Sequence, residues 1–356
     1  MAVTEEQARA ALAQVTVDGA PLAGSRRLSP IAIAGGRISL SIAIEAAEAA
    51  EMAAVRAAAE AALSALPGVE AAFVSLTAER AAPSPAPGAA PPRLTAPARK
   101  GPEPIPGVRH IIAVASGKGG VGKSTTACNL ALSLRAMGLR VGALDADIHG
   151  PSLPRLFGLR GSPRVLEGRI LQPLDGYGVK VMSLGFLVGD EDAMVWRGPM
   201  VLSAITQMLR EVAWGELDVL IVDMPPGTGD AQLAMAQGAP LSGAVIVSTP
   251  QDLALIDARR AVAMFRKVDV PILGVIENMS VYVCPTCGTA AHIFGDGGAQ
   301  AEAARIGAPF LGAAPLSMAL REASDAGRPV AALDPDSAHG LIYRAIAEAL
   351  WRQVSP

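Results

Sequence analysis

Cysteine is scarce in this 356-residue chain, with three in all. Three thiols in so long a chain, in a compartment expected to be reducing, exclude a disulfide framework. Long apolar runs are missing as well. Hydrophobic residues make up 51% of the sequence, yet much of that is alanine, and no stretch approaches the ~18–20 uninterrupted apolar residues that a membrane-spanning helix needs. The start "MAVTEEQARAAL" is acidic and has no basic segment leading into an apolar one. No secretory signal is read there, and the expected location is cytoplasmic, with no membrane partner. An excess of charge is also lacking, because 30 Lys and Arg stand against 33 Asp and Glu and the sequence pI is near 5.9. That balance argues against a nucleic-acid partner held by bulk basicity.

What is there divides the chain into three. Residues 1–80 open with the helical stretch "TEEQARAALAQV" and continue into "PIAIAGGRISLSIAI", two alternating runs about Gly35-Gly36 that predict a hairpin. The strong helix formers of "AAEMAAVRAAAEAALSAL" and a returning strand in "GVEAAFVSL" complete a small α+β domain. Residues 81–107, "AAPSPAPGAAPPRLTAPARKGPEPIPG", are too rich in Pro for helix or sheet to propagate and read as an extended tether. From 108 to 356 the texture changes to apolar runs such as "IIAVAS", "RVGALDAD", "KVMSLG", "LDVLIVDM", "GAVIVST", "PILGVIEN" and "PFLGAAP". They lack strict two-residue alternation, as strands buried on both faces do. Helical spacing in "KSTTACNLALSLRAMG", "PMVLSAITQMLREVAWG" and "DLALIDARRAVAMFRKV" separates them. The expectation is a doubly wound α/β domain with a mostly parallel sheet.

The stretch "SGKGGVGKST", residues 116–125, fits the phosphate-loop pattern G-x-x-x-x-G-K-[ST] from Gly117 to Ser124, after one apolar run and before a helical one. Gly117, Gly119, Gly120 and Gly122 let the backbone curl. The loop's N–H groups, with those of Val121 and on to Thr125, can then converge on phosphate oxygens at a helix N-terminus. Lys123 is expected on the β- and γ-phosphates and the Ser124 hydroxyl on Mg²⁺. Asp223 ends the apolar run "VLIVDM", where a Walker-B carboxylate would hold Mg²⁺, and Gly227 beyond it can offer an N–H to the γ-phosphate. In "ALDADIHGPS", Asp145 and Asp147 are two apart, so on a strand they would share one face and point into one crevice. Asp147 is the candidate for orienting the attacking water, with Asp145 in support. A second lysine folded onto the same phosphates would be crowded. Lys118 is therefore expected to reach across a twofold axis into a partner's nucleotide, as an arginine finger supplied in trans does.

Cys284 and Cys287 form a CxxC in "VYVCPTCGTAAHIFGDGG", and the chain contains no second such pair. Both thiolates can turn toward one point, but a metal needs more ligands. Two copies across a twofold axis would supply four, enough for one [4Fe–4S] cluster or one Zn²⁺. A thioredoxin-like disulfide is the rival reading. Cys128 lies within the phosphate-loop helix and reads as packing, while His110, His149, His292 and His339 read as surface or loop residues.

The loop "GKGGVGKS" resembles the deviant Walker A motif of the MinD/ParA/NifH class of ATPases. That resemblance implies an ATP-sandwich dimer with Lys118 on the opposite subunit's phosphates, Asn278 of "GVIENMS" on the adenine edge and Pro315 of "LGAAPLS" lining the base pocket. Taken with "LDADIHGPS", "WRGPM", "VDMPPGTGD", "STPQDLALIDARRA" and "ENMS" followed by "CPTCG", residues 107 to about 350 are similar to the Mrp/ApbC family of P-loop iron–sulfur cluster carriers. Residues 1–80 resemble the small MIP18-type domain often fused ahead of such ATPases, through the helix–hairpin–helix pattern and "LPGVEAAFVSLT". Where that domain often has a cysteine, this chain has "EAAEAAEM". His149 stands where the carriers often have a tyrosine. The resemblance implies a homodimer holding a labile [4Fe–4S] cluster between its CxxC pairs and passing it to apo iron–sulfur client proteins, with cluster scaffold proteins as further partners. ATP hydrolysis would gate loading or release through switch loops 147–152 and 223–230. Two alternatives share the nucleotide site: a MinD/ParA-like positioning ATPase, and an ATP-switched scaffold with structural zinc. The first would need a basic membrane anchor, and the C-terminal "GLIYRAIAEALWRQVSP" has two arginines and no lysine.

Overall fold

The computed structural model describes residues 3–355 except 18, 26, 30, 35–36, 45–47, 70, 79–101, 148–149, 168–169, 188–197 and 228. The expected turn at Gly35-Gly36, most of the tether, His149 and the first two residues of "WRGPM" lie outside the described residues. The chain divides into two compact units, Met1–Thr95 and Ala96–Pro356.

In the first unit the elements run α1 (Glu5–Leu12), β1 (Thr16–Val17), β2 (Ala20–Pro21), β3 (Ala32–Ala34), β4 (Arg37–Ile44), α2 (Ala49–Ser64) and β5 (Ala71–Ala78). Helix α1 begins where Thr4 and Gln7 cap each other's backbone N–H groups, a reciprocal pair that satisfies two otherwise orphaned donors. Strand β4 alternates, with Ile38, Leu40, Ile42 and Ile44 all buried. It pairs antiparallel with β3, as the hairpin expectation required, and parallel with β5 after the α2 crossover. Arg27 clamps Glu48 with two hydrogen bonds of 2.6 and 3.3 Å. The short β1–β2 pair was not expected.

The second unit runs β6 (Val108–Ala115), α3 (Lys123–Ala136), β7 (Val141–Asp145), α4 (Leu153–Leu156), β8 (Leu174–Gly176), β9 (Val179–Ser183), α5 (Gly198–Arg210) and β10 (Leu217–Asp223). It continues through α6 (Asp230–Gly238), β11 (Gly243–Ser248), α7 (Asp252–Lys267), β12 (Ile272–Val283), β13 (Ala290–Ala291), α8 (Gly298–Ile306), β14 (Phe310–Leu316), α9 (Met318–Asp325), α10 (Val330–Leu333) and α11 (Ala338–Val354). Among the described residues the sheet has nine strands, in the order β13-β12-β11-β6-β10-β7-β9-β8, with β14 also paired to β12. All pairings are parallel except those of β13 and β8. The doubly wound, mostly parallel sheet is as the apolar runs required. Val219, Leu220, Ile221 and Val222 of β10 are fully buried. Each such side chain stabilises the fold by roughly 1.5–3 kcal/mol on transfer grounds.

Strand order places the site. From β6 the chain moves to β7 on one side, and β11 lies on the other, so the C-terminal end of β6 is a topological switch point where a crevice opens. Helix α3 leaves that point with Thr126 to Leu134 wholly buried, packed against α10 and α11. An edge-on contact between His110 and Trp351, 5.6 Å between ring centres, ties α11 to the start of β6.

One strand exceeds its expectation. β12 continues past Asn278 to Val283, because Tyr282 and Val283 pair with Ala291 and Ala290 of β13. The two ladders are joined at Met279, whose φ of +59° is left-handed, and the register with β14 shifts between Asn278 and Tyr282.

Candidate nucleotide and cysteine sites

The phosphate loop is held from behind. Gly117 passes so close to α7 that a Cβ there would fall 2.1 Å from the Asp257 carbonyl, and Gly120 and Gly122 both adopt φ +82°. A Cβ on Gly122 would in addition meet the Asn278 amide nitrogen at 2.1 Å. Gly117 is demanded on steric grounds, Gly120 on conformational ones and Gly122 on both. Gly119 faces open space. The Ser116 hydroxyl donates to the Lys118 carbonyl at 2.9 Å, and the Thr125 carbonyl accepts from the Asn129 amide at 2.9 Å. No side chain caps α3, so its first N–H groups and positive dipole end face the loop.

Lys123 is 6% exposed and its ammonium lies 2.5 Å from Asp223 Oδ1, 3.3 Å from the Ser124 hydroxyl and 3.8 Å from Asp147 Oδ2. Burial pushes the Asp223 carboxyl up against the pull of Lys123. Asp223 Oδ2 is buried and has no hydrogen-bond partner among the described residues. Burial, and then the charge of Asp223, raises the neighbouring Asp145 to about 7, opposed by backbone N–H donors and by Lys123. Two carboxylates, those of Asp223 and Asp147, share one ammonium that also reaches the Ser124 hydroxyl, and one buried Asp223 oxygen is left without a partner among the described residues. That donor set fits Mg²⁺, a hard cation that takes one or two protein oxygens and fills its shell from phosphate and water. No group of three or more His, Cys, Asp or Glu side chains is placed to hold a metal among the described residues.

Two expectations need correction. Asp145 and Asp147 do not share a strand face, because β7 ends at Asp145 and Asp147 already belongs to the loop. The Asp145 carboxylate is turned into that loop, where it accepts from the N–H groups of Asp147 (3.1 Å), Ser152 (2.8 Å) and Leu153 (2.9 Å) and from the Ser183 hydroxyl (3.2 Å). It shapes the loop that carries Asp147 and does not face the crevice. Gly227, at φ +92°, donates its N–H to the Ser116 carbonyl at 3.1 Å, so that donor is committed to the phosphate loop.

Asn278 is 6% exposed and spends one amide N–H on the Val121 carbonyl at 2.9 Å, which brings it directly against the loop. Its ladder partner is Ala314, so half-buried Pro315 lies one residue beyond on the neighbouring strand. Lys118 is exposed, and no described residue pairs with its ammonium.

The cysteines occupy the tip of the β12–β13 hairpin. The Cys284 N–H donates to the Thr289 carbonyl at 3.0 Å, and the Gly288 N–H to the Cys284 carbonyl at 2.9 Å, with Gly288 at φ +71°. Cys284 is half-buried and Cys287 exposed. Cys287 Sγ lies 3.2 Å from the Thr289 hydroxyl, and that hydrogen bond, helped by the backbone and Cys284, lowers the Cys287 thiol below its ordinary range. Thr289 went unnoticed in the sequence; a hydroxyl residue two places after the second cysteine was the available signal. His292 Nδ1 is 3.2 Å from the Ser280 carbonyl and 3.4 Å from Asp296, so the hairpin's own backbone engages it. Cys128 is fully buried, and burial pushes its thiol well up.

The family model for the NUBPL iron-transfer P-loop NTPase matches residues 107–351. The chain belongs to that family. Residues 5–76 match a second family model, for an iron–sulfur cluster assembly protein. Among relatives of the NUBPL-type NTPase unit, an iron–sulfur cluster carrier protein of Pseudomonas fragi is 54% identical over 248 residues, covering 68% of this chain and 86% of that one. The mouse iron–sulfur cluster transfer protein NUBPL is 53% identical over 254 residues, covering 71% and 80%. Of solved structures, a nucleotide-binding protein from Archaeoglobus fulgidus in complex with ADP is similar at a TM-score of 0.57 and 40% identity, covering 65% of this chain and 90% of that one. No helix among the described residues of this NUBPL-type chain is long and apolar enough to cross a membrane.

Proposed function

We propose that the protein is an ATP-dependent iron–sulfur cluster carrier that works as a homodimer in the cytoplasm, binding a labile [4Fe–4S] cluster between two CxxC hairpins and passing it to apo-proteins. One observation carries the reading: a hairpin tip presents two free cysteines, one of them exposed, at the end of the same strand whose Asn278 packs against the phosphate loop. Two thiolates per chain leave a cluster half-ligated, and a second copy completes the set of four.

The nucleotide chemistry follows from the carboxylate–lysine cluster. Lys123 exchanges Asp223 for the β- and γ-phosphate oxygens, and the loop N–H groups from Gly117 to Thr125 take the remaining phosphate oxygens. Ser124 and Asp223 would hold Mg²⁺, which when bound neutralises charge on the phosphates. Asp147 orients the attacking water on the loop that Asp145 shapes, and Lys118 of one subunit reaches the partner's phosphates. Asn278 reads the adenine edge with the amide groups that Val121 leaves free, beside Pro315. Gly227 reaches the γ-phosphate only by leaving the Ser116 carbonyl, which makes that bond the resting position of the second switch loop.

The test is anaerobic reconstitution with iron and sulfide, for wild type and for Cys284→Ala/Cys287→Ala. The expected result is a broad absorbance near ~400 nm with about four irons per dimer, both lost in the double variant. Uptake of no iron, or of one zinc per dimer, would overturn the reading in favour of a nucleotide-switched scaffold.

A further inference from the structure

We propose that Thr289 makes the two cysteines of each chain unequal, with its hydroxyl donating to Cys287 so that Cys287 is the ligand released first when the cluster leaves. The inference rests on the carrier reading above and names the atom at which transfer starts.

Geometry supplies the asymmetry. Cys287 Sγ and Thr289 Oγ1 are 3.2 Å apart. Thr289 is fixed relative to both cysteines, because its carbonyl accepts the Cys284 N–H at 3.0 Å and the next residue, Ala290, pairs with Val283. No hydroxyl contacts the Cys284 sulfur among the described residues, and Cys284 is half-buried where Cys287 is exposed. A thiol could be either partner in the bond to Thr289. A thiolate bound to iron has no proton, so there the hydroxyl must donate. A hydrogen bond drawn onto a ligand sulfur removes charge from it, which weakens its bond to iron and raises the reduction potential of the cluster. Twofold symmetry gives each dimer two such sulfurs and two unmodified ones.

The step is a ligand exchange. A cysteine thiol of the apo-protein loses its proton and forms a sulfur–iron bond, the Cys287–iron bond breaks, and the Cys287 sulfur takes up one proton. Iron and sulfide keep their oxidation states, and no oxidant or reductant enters. The Thr289 hydroxyl assists by stabilising the departing thiolate, and the exposure of Cys287 gives the incoming thiol its approach.

Thr289→Val keeps the shape and removes the hydroxyl, while Thr289→Ser restores it. With the reconstituted full-length protein, loss of the cluster to an excess of a small dithiol should slow about fivefold in Thr289→Val, the usual effect of one hydrogen bond. Its reduction potential should fall, and Thr289→Ser should match wild type in both. A purely structural threonine would not move the potential. Cobalt(II) gives a second readout without any cluster: the thiolate-to-cobalt band should shift to longer wavelength in Thr289→Val, because the sulfur is then the stronger donor. Unchanged release and potential in a loaded Thr289→Val, or a Thr289→Ser that behaves like the valine variant, would overturn the inference and leave the carrier reading intact. A wild type that takes up no cluster would overturn both.

Discussion

Among the described residues, the ammonium of Lys123 is paired with Asp223 and Asp147, and it is buried with Asp223. Breaking a buried pair by removing one partner leaves an uncompensated charge, at a cost of about 3–5 kcal/mol. Lys123→Ala should therefore do more than abolish nucleotide binding. In nucleotide-free protein it should lower unfolding stability by about that amount, and adding Asp223→Asn should restore much of the loss. Urea unfolding of the two single variants and the double variant measures the coupling; additive effects would mean that the pair is not the source. Asp145 carries a pH signature. Burial lifts its carboxyl from an ordinary 3.8 to about 7. Between those values the folded chain keeps a proton that the unfolded chain has released, so stability is greatest at the acid end of the window and declines as pH rises through it. Asp145→Asn should flatten that slope. If its pH profile matches wild type, the carboxylate is not raised.

Strand β12 is where the nucleotide site and the cysteines meet in one element, and Met279 is its irregular point. A non-glycine residue at φ +59° has its Cβ crowded against the following carbonyl, at a cost of roughly 1–2 kcal/mol. Across this bend the register with β14 shifts, from Asn278 opposite Ala314 to Tyr282 opposite Leu316, and the strand goes on to pair with β13, which carries Cys284 and Cys287 to the hairpin tip. A β-branched side chain tolerates that conformation least. Met279→Val should be less stable than wild type in thermal or urea unfolding, whereas Met279→Gly is freed of the roughly 1–2 kcal/mol Cβ cost, and in the valine variant the hairpin carrying the cysteines should lose amide-exchange protection first. Equal protection in the two proteins would detach the bend from the hairpin. Much else at this scale was legible beforehand. The apolar runs are strands because both faces of a parallel sheet are covered, and the phosphate loop announced itself through its glycines, of which Gly117 and Gly122 stand where a Cβ would collide. Met279 was not legible, since methionine carries no signal of left-handed backbone. Asp145 was misread because two-residue alternation holds only within a strand, and nothing in "LDADIHG" marks β7 as ending at the first aspartate. Likewise, the donor that takes up Gly227 depends on where Ser116 lies in space, and sequence distance does not report that.

At the scale of the whole molecule, the two units keep separate cores, one running from Val3 to Val74 and the other from Ile105 to Leu350. The boundaries expected from composition, 1–80 and 108–356, remain our proposal for the domains, and the chemistry proposed above lies entirely in the second. Stoichiometry then decides how two chains cooperate. If each cluster takes two thiolates from each subunit, a dimer with one Cys284→Ala/Cys287→Ala subunit has only half a ligand set. Wild-type and double-variant chains, mixed equally and allowed to exchange before reconstitution, pair at random and leave about a quarter of the dimers with four cysteines. Iron uptake should fall to about a quarter of the wild-type value. A cluster built within one chain would load in proportion to the wild-type chains, at about half. Lys118 can be put to the same test. If it acts in trans, mixing Lys118→Ala chains with chains disabled at Lys123 should create hybrid dimers in which the intact phosphate loop of the Lys118→Ala chain receives its partner's Lys118, while the other loop is dead. One intact site would then form in each hybrid, and ATP hydrolysis should rise above the background of either variant alone. If Lys118 serves its own nucleotide, neither subunit of that hybrid has a complete site and hydrolysis stays at background; a second mixture, wild type with chains disabled at Lys118, shows which loop is active. Acting in trans, each hybrid loses the site on its wild-type subunit and gains one on the variant, whereas acting in cis the wild-type subunit keeps its own. Labelling the nucleotide by photo-crosslinking to one tagged subunit separates the two outcomes, and crosslinking that follows the variant's phosphate loop is the result that the twofold arrangement requires.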